Sequence, residues 1–130
     1  MNRNIEFVYP VRIIKADGII SGGENFLINR DEIASFGNNN LIRIRNENGI
    51  KSYVILDFGK EICGGVRIVT AIVKGLTTKI RLVFGESVSE AMSSVGENGA
   101  TNHHSPRDFV AMISNLSALE FGRTGFRFVK

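Results

Sequence analysis

The chain has 130 residues, 43% hydrophobic and 22% charged, with two prolines; this suits one folded domain and leaves no room for two large ones. No apolar run approaches the ~18 residues of a membrane-spanning helix. Sixteen basic against 13 acidic residues give a net charge of +3 without the Lys/Arg block that would track a phosphate backbone, so neither a membrane nor nucleic acid is an expected partner.

In chain order, the first residues lack the apolar core of a secretion signal, which leaves open a cytoplasmic protein and one, periplasmic or secreted, whose leader has been removed. Ile5, Phe7 and Tyr9 then alternate with polar neighbours, and Val11 and Ile13 continue the face beyond Pro10, predicting an edge strand or a bulge there. Asp17-Gly18 reads as a turn, Phe26, Leu27 and Ile28 as a short strand, and residues 30–36 as one helical turn stopped by Gly37 and the asparagines after it. In residues 41–45, Ile42 and Ile44 are expected inward and Arg43 and Arg45 outward; Asn46-Glu47-Asn48-Gly49 predicts a hairpin returning through residues 50–56.

Cys63, the single cysteine, excludes an internal disulfide and a multi-cysteine zinc site, and its apolar neighbours predict a buried thiol. Residues 66–73 are apolar on both faces apart from Arg67 and Thr70, which predicts an interior strand with residues 79–84 as its neighbour. Ser87 followed by Glu90 is a capping box for a brief helix, and residues 109–113 and 126–129 complete the strand candidates. The expected fold is all-β with little helix: one domain, residues 1–130, of two antiparallel sheets packed as a β-sandwich.

Between Met92 and Arg107 lies the longest stretch with no secondary-structure signal, containing His103, His104 and Ser105 just before Asp108. Side chains adjacent on one loop diverge rather than converge, so solvated histidines are expected there rather than a catalytic triad or a metal site. Glycoside hydrolysis needs two carboxylates about 5–10 Å apart around a cleft. Glu86 with Glu90 or with Asp108 are the conceivable pairs, but pairing with Arg81, Arg107 or Arg127 is the simpler expectation. Gly22-Gly23 and Gly64-Gly65 lack the Lys-Ser and helix of a phosphate loop and read as bends or close backbone approaches. Arg43, Arg45, Lys79 and Arg81 face outward without an apparent aromatic platform, which argues against both single-stranded nucleic acid and a strong lectin.

Several stretches together carry a family likeness. Tyr53-Val54-Ile55-Leu56-Asp57-Phe58-Gly59-Lys60-Glu61-Ile62-Cys63-Gly64-Gly65-Val66-Arg67 is followed by Arg81-Leu82-Val83-Phe84-Gly85-Glu86-Ser87. Gly99-Ala100-Thr101-Asn102, Arg107-Asp108-Phe109 and Thr124-Gly125-Phe126-Arg127-Phe128-Val129 come after. In this order they resemble the β-sandwich domain that precedes the catalytic barrel in bacterial α-L-rhamnosidases and related six-hairpin glycosidases. Residues 1–50 match only in general character, and His103 stands where the pattern has an acidic residue.

The resemblance implies a jelly-roll-like sandwich packed on an (α/α)6 barrel of the same parent chain. The barrel carries the catalytic carboxylates, so no catalytic residue, metal or cofactor is expected here; a chain stopping just after its last strand candidate reads as a domain of a longer enzyme. Candidate carbohydrate or domain-interface contacts are Glu86, His104, Arg107, Asp108 and Arg127. Candidate turn and packing positions are Asp57, Gly59, Gly64 and Gly65, with Asp57 accepting backbone N–H bonds in a turn whose positive φ Gly59 supplies. The alternative is an autonomous carbohydrate-binding module. An open apolar patch on the order of several hundred Å2, able also to pair two copies, marks the barrel-packing domain; a polar groove with aromatic contacts marks the module.

Overall fold

The alternating runs form antiparallel strands in the computed structural model, which describes residues 5–27, 41–71, 75, 77–93 and 107–130. The strands are β1 (Arg12–Asp17), β2 (Ile19–Ser21), β3 (Arg43–Arg45), β4 (Tyr53–Val69), β5 (Thr77–Gly85), β6 (Asp108–Ser114) and β7 (Ala118–Val129). Among the described residues, the helical elements are α1 (Val88–Met92) and a 3-10 turn over Gly23–Leu27. A five-stranded sheet runs β1-β4-β7-β5-β6, and β2 pairs with β3 in a small second sheet. The architecture is the all-β, antiparallel, sandwich-like one that the alternation predicts, with little helix.

β7 is the spine of the large sheet. It pairs with β4 from Val69↔Ala118 to Leu56↔Val129, and meets β5 at one end, at Phe84↔Val129 and Gly85↔Phe128, continued by two backbone hydrogen bonds between Val83 and Lys130 at 3.0 and 2.8 Å. Joined to β7 at one end only, the β5–β6 ribbon packs across the β4–β7 ribbon. Leu82, Phe84, Phe126 and Val129 are buried between the two, with Ile62, Val66 and Ile68 of β4 and Ile80 of β5 packed against them. Fully burying Phe84 or Phe126 contributes roughly 1.5–3 kcal/mol each. β4 shifts register against β7 between Asp57 and Ile62 and between Gly64 and Val66. Such bulges bend a strand and tighten its twist, which lets one sheet supply both layers.

Several local expectations need correction. Residues 5–10 form no strand; pairing starts at Arg12, beyond Pro10, which has no N–H to give a ladder. Phe26 and Leu27 lie in the 3-10 turn rather than a strand, and Ile28 and the helical turn expected at 30–36 lie outside the described residues. The turn at 46–49 closes with a Glu47↔Ile50 bridge, but its arms diverge, since β3 pairs with β2 and β4 with β1. Ile44 is exposed along with Arg43 and Arg45, as every residue of β3 is. β4 and β5 lie in one sheet but are separated there by β7, and they meet through the apolar core rather than by pairing. Cys63 is exposed because it shares the outward phase of β4 with Arg67. The N-cap half of the capping box forms, with the Ser87 hydroxyl accepting from the Glu90 N–H at 3.1 Å.

Candidate functional site

The first bulge of β4 organises the richest cluster of side chains. There the Asp57 carboxylate is fully buried and accepts from Arg127 at 2.9 and 3.2 Å, from Arg12 at 2.7 Å, and from the Gly59 N–H at 2.7 Å. Gly59 has φ of +80°, a conformation that costs a residue with Cβ strain. The hydrogen bond from Arg127 is the largest influence on Asp57 and, with the Gly59 N–H and Arg12, overcomes burial to hold the carboxyl well below the usual carboxylate range. Arg127 is stabilised as a cation in return. Both guanidiniums are thereby fixed in place while remaining partly open to solvent.

The same bulge forms one wall of a groove of about 650 Å3, lined by residues 7–11, Leu27 and residues 58–60. Val11 is tied to the wall by its N–H, which donates to the Asp57 carbonyl at 2.8 Å. A Cβ on Gly59 would stand 3.0 Å from Val11 Cγ2, so the two sides of the groove meet at the glycine. Phe7 is 51% and Val11 60% exposed. The Arg67 guanidinium lies 4.6 Å from the Phe7 ring centre, while Phe58 sets its edge against Phe126 at 5.7 Å and so anchors the floor to the core. Lys60, with no ion-pair partner among the described residues, supplies a cationic lip. Aliphatic and aromatic walls with one cationic edge suit an apolar protein segment flanked by an acid.

Near Arg127 a second group gathers, Glu61 with Glu86 and Glu90. Glu61 lies on the exposed side of β4; partial desolvation, and then the two neighbouring carboxylates, push its carboxyl up, with Arg127 opposing. Glu86 reaches over Gly125 of β7, its Oε1 3.5 Å from where a Cβ would be. Asp108 is held by Arg81 in a two-pronged ion pair of 2.6 and 2.8 Å, which lowers its pKa and keeps it charged.

Arg107, a candidate contact in the sequence, faces inward instead and is 1% exposed. It donates to the Glu90 carbonyl at 2.7 Å, the Ser93 carbonyl at 3.1 Å and the Phe84 carbonyl at 3.4 Å, clipping the C-terminal end of α1 onto β5. The Glu90 carbonyl also accepts the Ser93 N–H at 3.2 Å, so Arg107 reinforces the helix C-cap and joins it to the Phe84 carbonyl of β5. His104, with His103 and Ser105, lies outside the described residues. At Gly65 a Cβ would meet the Gly122 carbonyl oxygen at 2.5 Å and that of Phe121 at 2.6 Å, so β4 and β7 touch there through bare backbone; at Gly64 it would meet only Ile62, at 3.8 Å.

The structure therefore brings Asp57, Gly59 and Arg127 together, sets Glu86 beside Glu61, and leaves Asp108 and Arg107 in separate structural roles. Arg12, Glu61 and the aromatic groove were missed in the sequence. A usable signal was Pro10: a proline that stops pairing releases Phe7 from any strand face and so from the inward phase. Among the described residues no group of His, Cys, Asp or Glu is placed to hold a metal ion. Comparison with protein-family models, with curated proteins and with solved structures finds no match for the chain.

Proposed function

We propose that this chain is a noncatalytic accessory β-sandwich domain of an α-L-rhamnosidase-like glycoside hydrolase, and that its groove at residues 7–11 and 58–60 seats the helical (α/α)6 barrel of the parent protein. The observation that carries the reading is the groove: large apolar side chains, Phe7 and Val11 foremost, stand open on a rigid bulge that the Asp57 ion cluster fixes. Two features support it. The resembling stretches 53–67 and 124–129 are the segments that build that bulge and its arginine. Asp57 and Asp108, moreover, are spent on arginines, which suits structural rather than acid–base work.

The test is co-expression of the chain with a six-hairpin barrel of an α-L-rhamnosidase-like enzyme. The two are expected to co-migrate, and Phe7→Asp with Val11→Asp to weaken the association at least about tenfold without changing the melting temperature of the chain. Binding of rhamnosyl oligosaccharides by the chain alone, lost in Phe7→Asp, together with no affinity for the barrel, would make it an autonomous carbohydrate-binding module. Hydrolysis of an aryl rhamnoside by the chain alone would overturn both.

A further inference from the structure

The two end strands of the large sheet are unlike; between them, β4 beyond Asp57 and most of β7 also keep one flank unpaired among the described residues. β1 is guarded by Arg12, Lys15 and Asp17 and by a register shift between Ile13 and Lys15. β6, at the other end, carries no charge, proline or glycine from Phe109 to Ile113, and its pairing with β5 is regular along its whole length. The Phe84 N–H donates to the Arg107 carbonyl, which fixes the alternation of the ladder. Phe109, Ala111 and Ile113 direct their backbone groups to β5, whereas the N–H and C=O of Val110 and Met112 point to the other side, where no strand pairs with β6 among the described residues. Their side chains are 62% and 59% exposed. An uncharged, regular edge of this kind is what most sheets are built to avoid.

We infer that β6 is a self-pairing edge, and that two copies of the chain join β6 to β6 in antiparallel register about a two-fold axis at Ala111. The sequence of the strand selects a second copy as the occupant because it is complementary to itself. About that axis Val110 lies opposite Met112 of the second copy, Phe109 opposite Ile113, and Asp108 opposite Ser114. The two Asp108 carboxylates fall at opposite ends, and each already has Arg81 of its own chain, so no like charges meet. The two large sheets become continuous, and the Val110 and Met112 side chains of both copies form one apolar cluster.

Sedimentation velocity from micromolar to millimolar chain, with amide hydrogen exchange at the same concentrations, tests this. Dimerisation is expected, with exchange at the Val110 and Met112 N–H slowing as dimer forms. Val110→Glu with Met112→Glu is the informative variant. Within one chain the new carboxylates face Arg81 and Lys79 across β5, so the fold is kept; across the dimer they face each other, and association is expected to weaken at least about tenfold. Val11→Lys, in the groove, is expected to leave dimerisation unchanged. A chain that stays monomeric throughout, a dimer indifferent to the β6 variant, or one abolished by Val11→Lys would overturn the inference. The last would place self-association in the groove, while barrel binding could still be measured on its own.

Discussion

Asp57 shows how one side chain can hold a surface in shape. Its partners Arg12 and Arg127 are 45 and 70 residues away in sequence, and both are partly solvated. Asp57→Asn keeps the shape and removes the charge, and should cost about 2–3 kcal/mol in urea unfolding, below the full value of a buried pair because the arginines can rehydrate. The pH dependence has a definite sign. The folded-state pKa of Asp57 lies below its unfolded value, so its stabilisation is complete above about pH 5 and is lost as the pH falls through about 4 and below. Asp108 acts in the same direction. Glu61 is the opposite case: its raised pKa means that the folded state prefers the protonated acid, so stability falls as the pH rises through its titration. Thermal melts should therefore show Glu61→Gln stabilising the chain at pH 7 and leaving it unchanged in acid, while Asp57→Asn destabilises at pH 7 and converges on the parent in acid. Of this, the Asp57-Phe58-Gly59 turn could be read locally. The arginines could not, because nothing in a sequence ties a carboxylate to a particular distant guanidinium.

The elements show the same division between local and distant. α1 was legible because a capping box is a relation between residues three apart, and Ser87→Ala should cost about 1 kcal/mol in urea unfolding. Arg107 was not, since its acceptors are backbone carbonyls 14 to 23 residues away. Strand alternation reports which face is buried, but not which strand lies alongside. Hence the strand segments around Tyr53 and Lys79 were found while their partners were misplaced. Gly64 and Gly65 look equivalent in sequence and differ in structure. Gly65→Ala drives a methyl into two carbonyl oxygens of β7 and should cost about 2 kcal/mol or more by urea unfolding, whereas Gly64→Ala should change stability by less than about 0.5 kcal/mol.

At the scale of the molecule, both layers come from one sheet curled by bulges, so the apolar contact between the ribbons must supply what hydrogen bonding between β5 and β7 does not. The all-β class followed from composition and period. The curl did not, because bulge positions depend on pairings that the sequence leaves open. Phe84 sits where the ribbons meet: its ring stacks on Phe109 at 6.1 Å and takes the edge-on contact of Phe126 at 5.0 Å, with no exposure to solvent. Phe84→Ala should therefore cost about 3–5 kcal/mol and loosen the layers from each other. Phe7→Ala removes a ring of the same size from an open groove, and should leave the urea midpoint nearly unchanged while weakening whatever the groove receives. Measuring both separates the two uses of phenylalanine in this chain, one holding the layers and one facing out. A large loss of stability in Phe7→Ala would mean that residues 7–11 act as a third piece of core and not as the wall of a docking surface.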